Sequence, residues 1–197
     1  MNIRRRLIRH PHKVDMEKNA KNPITHADVT HADVYLIGRV KRESIILFPG
    51  SFDPFTIGHA DLVERALAFF DKVVIAIGIN EQKEGWIPVE ERVHQLRKLY
   101  KNQSCVCVES YSGLTTDYAA SIGATAILRG VRTIKDFEYE QQMADINRQL
   151  TGIETVLLIA KPQLAAISSS LVRELAHFGK DISAFLPEGI QYEINKN

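Results

Sequence analysis

Ser44-Ile45-Ile46-Leu47-Phe48-Pro49-Gly50-Ser51-Phe52-Asp53-Pro54-Phe55-Thr56-Ile57-Gly58-His59 is the stretch from which the fold is read. It opens on a short apolar run, Ser44 to Phe48, that stops at Pro49-Gly50, as a buried strand does. A loop follows. From Ala60 to Phe70 the apolar Leu62, Val63, Ala66, Leu67 and Phe70 then recur at helical spacing. The alternation repeats down the chain. Strands are predicted at 73–79, 106–108, 125–128 and 155–160. Helices are predicted at 89–100, 115–122, 134–150 and 169–178, with a short one after Pro187. The 89–100 helix has acids in its first turn and bases in its last, which suits the helix dipole. Five buried runs separated by helices predict an α/β fold, a five-stranded parallel sheet with helices on both faces. Such sheets bind ligands beyond the carboxyl ends of their strands.

The rest of the chain bounds this reading. Its 197 residues suffice for one domain with a tail. No run of 18 apolar residues occurs, so no membrane partner is expected. Cys105 and Cys107, one residue apart in an apolar run, exclude a disulfide framework and a cysteine-rich zinc site. Net charge is +1, but residues 1–43 hold ten Lys/Arg against five Asp/Glu, while 44–197 hold fifteen against nineteen. Residues 1–43 carry Arg4, Arg5, Arg6 and Arg9 and a short duplication, Thr25–Val29 and Thr30–Val34, without apolar periodicity. They read as a basic, flexible N-terminal extension to a domain at 44–197. No secretory signal is visible, and a cytoplasmic location is expected. No helix-turn-helix or zinc motif marks a nucleic-acid partner.

The loops after the strands carry the chemistry. Thr56 and His59 stand at a helix entrance, where free N–H groups and the dipole favour an anion. Taken alone, this Thr-x-Gly-His is equally a capped turn with an incidental histidine. It is neither a dinucleotide fingerprint nor a Walker A loop. Lys83 lies in the polar loop after strand two. Arg129-Gly130-Val131-Arg132 follows strand four, and arginine forks match phosphate oxygens. Ile167-Ser168-Ser169-Ser170 follows strand five and opens another helix. Each loop by itself has a structural explanation as a surface lysine, an ion pair or a cap. Together, at one edge of one sheet, they predict a cationic site rich in N–H donors, without a nucleophile pair or a carboxylate cage.

These motifs resemble a known family. Gly50-Ser51-Phe52-Asp53-Pro54 with Thr56-Ile57-Gly58-His59 is similar to the (H/T)-x-G-H signature of nucleotidylyltransferases. Arg129-Gly130-Val131-Arg132, Asp136-Phe137-Glu138-Tyr139-Glu140 and Ile167-Ser168-Ser169-Ser170 narrow the resemblance to bacterial phosphopantetheine adenylyltransferases, over about residues 44–190. The resemblance implies a Rossmann-like fold and adenylyl transfer from ATP to 4′-phosphopantetheine, with magnesium carried on ATP and no metal held by protein residues. It also implies a homo-hexamer. His59 is the implied transition-state stabiliser, and Lys83 and Arg129 the groups on the attacking phosphate. Ser51 and Phe52 are implied at the nucleotide and acceptor-phosphate pocket. Gly130, Val131, Arg132, Glu140, Leu164, Ala165, Ala166, Ile167, Ser168, Ser169 and Ser170 are implied at ATP. Leu114 and Thr115 are implied at the pantetheine arm.

The chain departs from the family pattern in three respects: Ser51 replaces a common threonine, Gly113 and Thr115 replace an acid and a larger apolar residue, and Gln163–Ala166 lacks the usual aromatics. The alternatives are a nicotinamide mononucleotide adenylyltransferase, a cytidylyltransferase, or a non-catalytic nucleotide-sensing module.

Overall fold

The computed structural model describes residues 43–80 and 85–192. Residues 1–42 of the expected 1–43 extension, and Lys83, lie outside the described residues. The elements run β1 (Ile45–Gly50), α1 (Ile57–Ala66), β2 (Lys72–Gly78), α2 (Val89–Leu99), β3 (Val106–Tyr111), α3 (Thr115–Ser121), β4 (Ala126–Val131), α4 (Ile134–Thr151), β5 (Glu154–Ile159) and α5 (Ser169–His177). Single 3-10 turns form at Pro162–Leu164 and Ser183–Phe185. All strand pairs are parallel, in the order β3-β2-β1-β4-β5. The chain builds outward from β1 to β3, then returns to the other side of β1. The expected α/β, Rossmann-like sheet is therefore the observed one.

Strand alternation divides the core. Ile46 and Phe48 of β1, with Val73, Ile75, Ile77, Ala126 and Leu128, pack under α1, α2 and α5 through Leu62, Val63, Ala66, Val93, Leu96, Val172 and Ala176. Leu47, Val74, Ala76 and Ile127 point the other way, against Ala119 of α3. Fully burying a Val, Leu, Ile or Phe side chain is worth ~1.5–3 kcal/mol. This concentrates stability in β1, β2 and β4. In β5 no residue is fully buried, as befits an edge strand.

Several boundaries differ from expectation. β1 continues through Pro49-Gly50, and β4 through Arg129-Gly130-Val131, segments the sequence reading put in loops. Proline is tolerated here for a geometric reason. The Pro49 carbonyl accepts from Arg129 of β4, so the missing Pro49 N–H faces the same side. There the β1–β4 ladder has already ended, at Leu47↔Ile127, so no ladder bond is lost. β4 persists because its pairing with β5 runs on to Val131↔Ile159. α1 ends at Ala66 rather than Phe70, its last turn tightened by the Phe69 N–H on the Ala66 carbonyl at 3.0 Å. The expected helix after Pro187 is instead the Ser183–Phe185 turn before it.

Candidate active site

Beyond Leu47 and Ile127 the two central strands part, and a cavity of about 320 Å³ opens at the carboxyl edge of the sheet. This is the topological switch point, where connections leave in opposite directions. Phe48 to Phe52 form one wall, Arg129, Gly130 and Arg132 another, and Leu164 with Ile167 to Ser170 a third. Gly130 faces α1 by strand alternation. A Cβ there would come within 2.5 Å of Leu62 Cδ1, so any larger residue would push the Leu62 side chain aside.

His59 occupies the third position of α1. Its Nδ1 accepts the Thr56 backbone N–H at 3.0 Å. A backbone amide can only donate, so Nδ1 carries no proton and the neutral ring holds its hydrogen on Nε2. The ring packs edge-on against Phe52 and near Phe55 and Phe48, at centroid distances of 5.2, 5.3 and 6.2 Å. Burial, reinforced by the charges of Arg132 and Arg129, lowers its pKa from 6.5 to about 4. His59 is thus a fixed neutral donor at physiological pH.

The two arginines are held from α4. Arg129 Nε and Nη2 fork onto Glu140 at 2.7 and 2.6 Å, and Nη1 donates to the Pro49 carbonyl at 3.0 Å. Burial opposes the charge, but the bond and attraction to the buried Glu140 outweigh it, and the guanidinium pKa is raised. Arg132 Nε donates to Asp136 at 3.1 Å. Burial works against the Asp136 carboxylate, yet the Arg132 backbone N–H and charge hold its pKa below the usual value. Asp136 and Glu140 are four apart and so share one face of α4. Three of the five N–H donors of Arg129 are committed, and the others remain for an anion.

The serines act mostly on the protein. Ser168 Oγ caps α5 by accepting the Leu171 N–H at 3.1 Å, and Ser169 Oγ donates to the Pro54 carbonyl at 2.8 Å. Ser170 Oγ accepts from Arg173 Nη2 at 3.2 Å. What α5 offers the cavity is the leading N–H groups of its first turn, which have no intrahelical acceptors. The start of α1 adjoins them: a Cβ on Gly58 would lie 3.9 Å from the Ile167 carbonyl. Two helix N-termini therefore converge beside His59 and Arg129, an arrangement suited to binding polyphosphate.

Residues 47–175 match the cytidylyltransferase-like family. The chain is 55% identical over 145 residues to the phosphopantetheine adenylyltransferase of Bacteroides fragilis, covering 74% of this chain and 97% of that protein. It is 55% identical over 147 residues to that of Phocaeicola vulgatus, covering 75% and 97%. The chain belongs to the phosphopantetheine adenylyltransferase family. Among solved structures, a bifunctional NMN adenylyltransferase/ADP ribose pyrophosphatase from Francisella tularensis superposes with a TM-score of 0.56 at 15% identity. That match covers 74% of this chain and 45% of that one, and shares the fold.

The cavity of this family member gathers Ser51, Phe52, His59, Arg129, Gly130, Arg132, Glu140, Leu164, Ile167, Ser168, Ser169 and Ser170 of the expected set. It does not gather Val131, Ala165, Ala166, Leu114 or Thr115. Val131 is buried and points to the opposite face from Gly130. Ala165 and Ala166 follow the 3-10 turn without lining the cavity. Leu114 and Thr115 lie after β3, two strands from β1, or roughly 10 Å across the sheet. Glu140 supports Arg129 instead of reaching outward, and the Phe52 ring is part of the core.

The sequence reading missed Asp136 as the partner of Arg132, and the buried Asp61, which pairs with Arg65 and Lys161 beside the β5 terminus. The i, i+4 spacing of Arg132 with Asp136, and of Asp61 with Arg65, was the available signal. No described helix is long and apolar enough to cross a membrane.

Proposed function

We propose that this chain transfers the adenylyl group of ATP to 4′-phosphopantetheine, giving dephospho-coenzyme A and pyrophosphate. The observation that carries the reading is the convergence of Arg129, the Nε2–H of His59 and two helix N-termini at the β1–β4 crevice, in a chain that is 55% identical to curated family members. An acceptor phosphate oxygen attacks the α-phosphorus of ATP. The bond from that phosphorus to the α–β bridging oxygen breaks, and pyrophosphate leaves. The attacking phosphate is already anionic at neutral pH, so no general base is required. Catalysis by positioned donors supplies the rate.

His59 donates to the charge that develops during transfer, and Arg129, together with Lys83, orients the acceptor phosphate. Magnesium carried on ATP would neutralise charge on its phosphates, with no residue of the chain assigned to hold it. The pocket carboxylates Asp136 and Glu140 are engaged by Arg132 and Arg129, which fits an ion entering with the nucleotide. Leu114 and Thr115 are assigned to the pantetheine arm, since an extended acceptor spans the distance from β1 to β3.

The enzyme is assigned to the cytoplasm and to a homo-hexamer. Tyr139, Ile146 and Leu150 support assembly: they lie seven and four residues apart on one face of α4, at 58%, 47% and 62% exposure. The domain at 44–197 is proposed to suffice, so a chain starting near Lys41 keeps its turnover. The deciding experiment is pyrophosphate release from ATP with each candidate acceptor. Rapid release with 4′-phosphopantetheine is expected, and equal release with nicotinamide mononucleotide would overturn the assignment.

A further inference from the structure

Phe52 has φ of +47°, in the left-handed region that side chains other than glycine rarely adopt. Such a conformation persists only where its surroundings over-determine it. Here the surroundings come from two helices and a loop. Arg92 of α2 donates from Nη1 to the Ser51 carbonyl at 2.5 Å. Arg173 of α5 donates from Nη1 to the Asp53 carbonyl. The Asp53 carboxylate accepts the N–H groups of Trp86 and Ile87 at 2.8 and 2.9 Å. Below, the Phe52 ring is 2% exposed among Phe48, Phe55 and His59.

Arg92 is the unusual member. It is 5% exposed, and arginine is almost never buried unless paired. Yet the acceptor of its Nη1 is a main-chain carbonyl of the pocket wall. In a trans peptide the carbonyl and the N–H point in opposite directions. Holding the Ser51 carbonyl toward α2 therefore turns the Phe52 N–H away from α2. Gly85 closes the arrangement: a Cβ there would come within 2.8 Å of Arg92 Nη2 and 3.3 Å of Asp53 Oδ2.

We propose that Arg92 is a positioning residue, which clamps the Ser51–Phe52 peptide so that the Phe52 N–H is presented to phosphate in the β1–β4 cavity. The inference rests on reading that cavity as a polyphosphate site. Arg92 acts only through the peptide, since it does not line the cavity itself. A misplaced donor costs turnover more than ground-state affinity.

The test uses the full chain labelled with 15N-phenylalanine and inorganic pyrophosphate as the probe, alongside steady-state kinetics. In the wild type the Phe52 amide resonance shifts on addition of pyrophosphate. Arg92→Lys keeps the charge and most of the buried stem but not the fixed fork. It should weaken that shift and lower kcat by about 10–100-fold, while KM for ATP changes by less than about threefold. Gly85→Ala displaces the guanidinium without removing it and should act in the same direction. It carries the test alone if Arg92 variants fail to fold. Wild-type kcat and an unchanged Phe52 response in both folded variants would overturn the proposal. Normal adenylyl transfer with a silent Phe52 amide would overturn it while leaving the functional reading intact. A responsive Phe52 amide that depends on Arg92, in a protein that transfers no adenylyl group, would support the clamp and sink the functional reading.

Discussion

The cavity between β1 and β4 and the loop after β3 sit on the same edge of one sheet, but the first is locked and the second is open. In the cavity most polar side chains are already held: His59 by Thr56, Arg129 by Glu140 and Pro49, Ser168 by Leu171, and Ser169 by Pro54. After β3, Leu114 is 62% exposed, and the polar anchor is a 2.7 Å bond between Tyr111 and Thr115 hydroxyls. The difference suits the role proposed for each. Donors that stabilise transient charge work only if their reorganisation is already complete. A surface that receives an extended acceptor gains from room and apolar contact.

The sharpest way to break this comparison is His59→Ala. Loss of one preorganised donor should lower kcat by about 10²–10³-fold, with KM for ATP little changed. Near-normal turnover in steady-state assays would reduce His59 to a capping residue.

Glu140→Gln comes next. It leaves the Arg129 fork without its charged partner, and a guanidinium free to reorient should lose roughly tenfold to a hundredfold in kcat/KM for the acceptor. Arg129→Lys should fail to recover activity, because an ammonium lacks the fork that meets both Glu140 and Pro49. Equal kcat/KM in all three proteins would show that the ion pair serves stability alone.

At the open region, Leu114→Asp should raise KM for 4′-phosphopantetheine by about tenfold while KM for ATP stays put. An equal rise in both would mean that the two regions are mechanically coupled.

The smallest effect concerns pH. With its pKa lowered to about 4, His59 should give no inflection in activity between pH 5 and 8. Stability carries the trace instead. As pH falls from 6.5 towards 4, the unfolded chain takes up a proton that folded His59 refuses. The native state should thereby lose up to roughly 2–3 kcal/mol over that window, with the full contribution regained above pH 6.5. Urea unfolding of wild type and His59→Gln at several pH values measures it. Parallel pH profiles for the two proteins would show that His59 is protonated as readily folded as unfolded.

Much of this architecture was legible from residue order. The runs at 45–48 and 73–77 read as buried strands, and the helix-period segments between strands implied a parallel sheet. The donor-rich segments after β1, at the end of β4 and after β5 share one edge because strand direction puts them there. Strand ends were less legible. Whether Arg129-Gly130-Val131 is loop or strand depends on how far β5 continues beside it, and β5 lies twenty-odd residues downstream. Glu140 was legible as a motif member but not as the partner of Arg129. That role requires α4 to pack back onto β4.

The sequence by itself determined the periodicities, the acid–base spacing on α4, the helix caps and the signature that joins this chain to its family, because these depend on neighbours a few residues apart. Tertiary structure alone decided which donors remain for a ligand. Ser169 proved to be a brace on the Pro54 carbonyl, Glu140 an anchor for Arg129, and His59 a ring kept neutral by burial. Each of these outcomes depends on a partner brought near by packing, on the water that packing removes, and on the dielectric that remains.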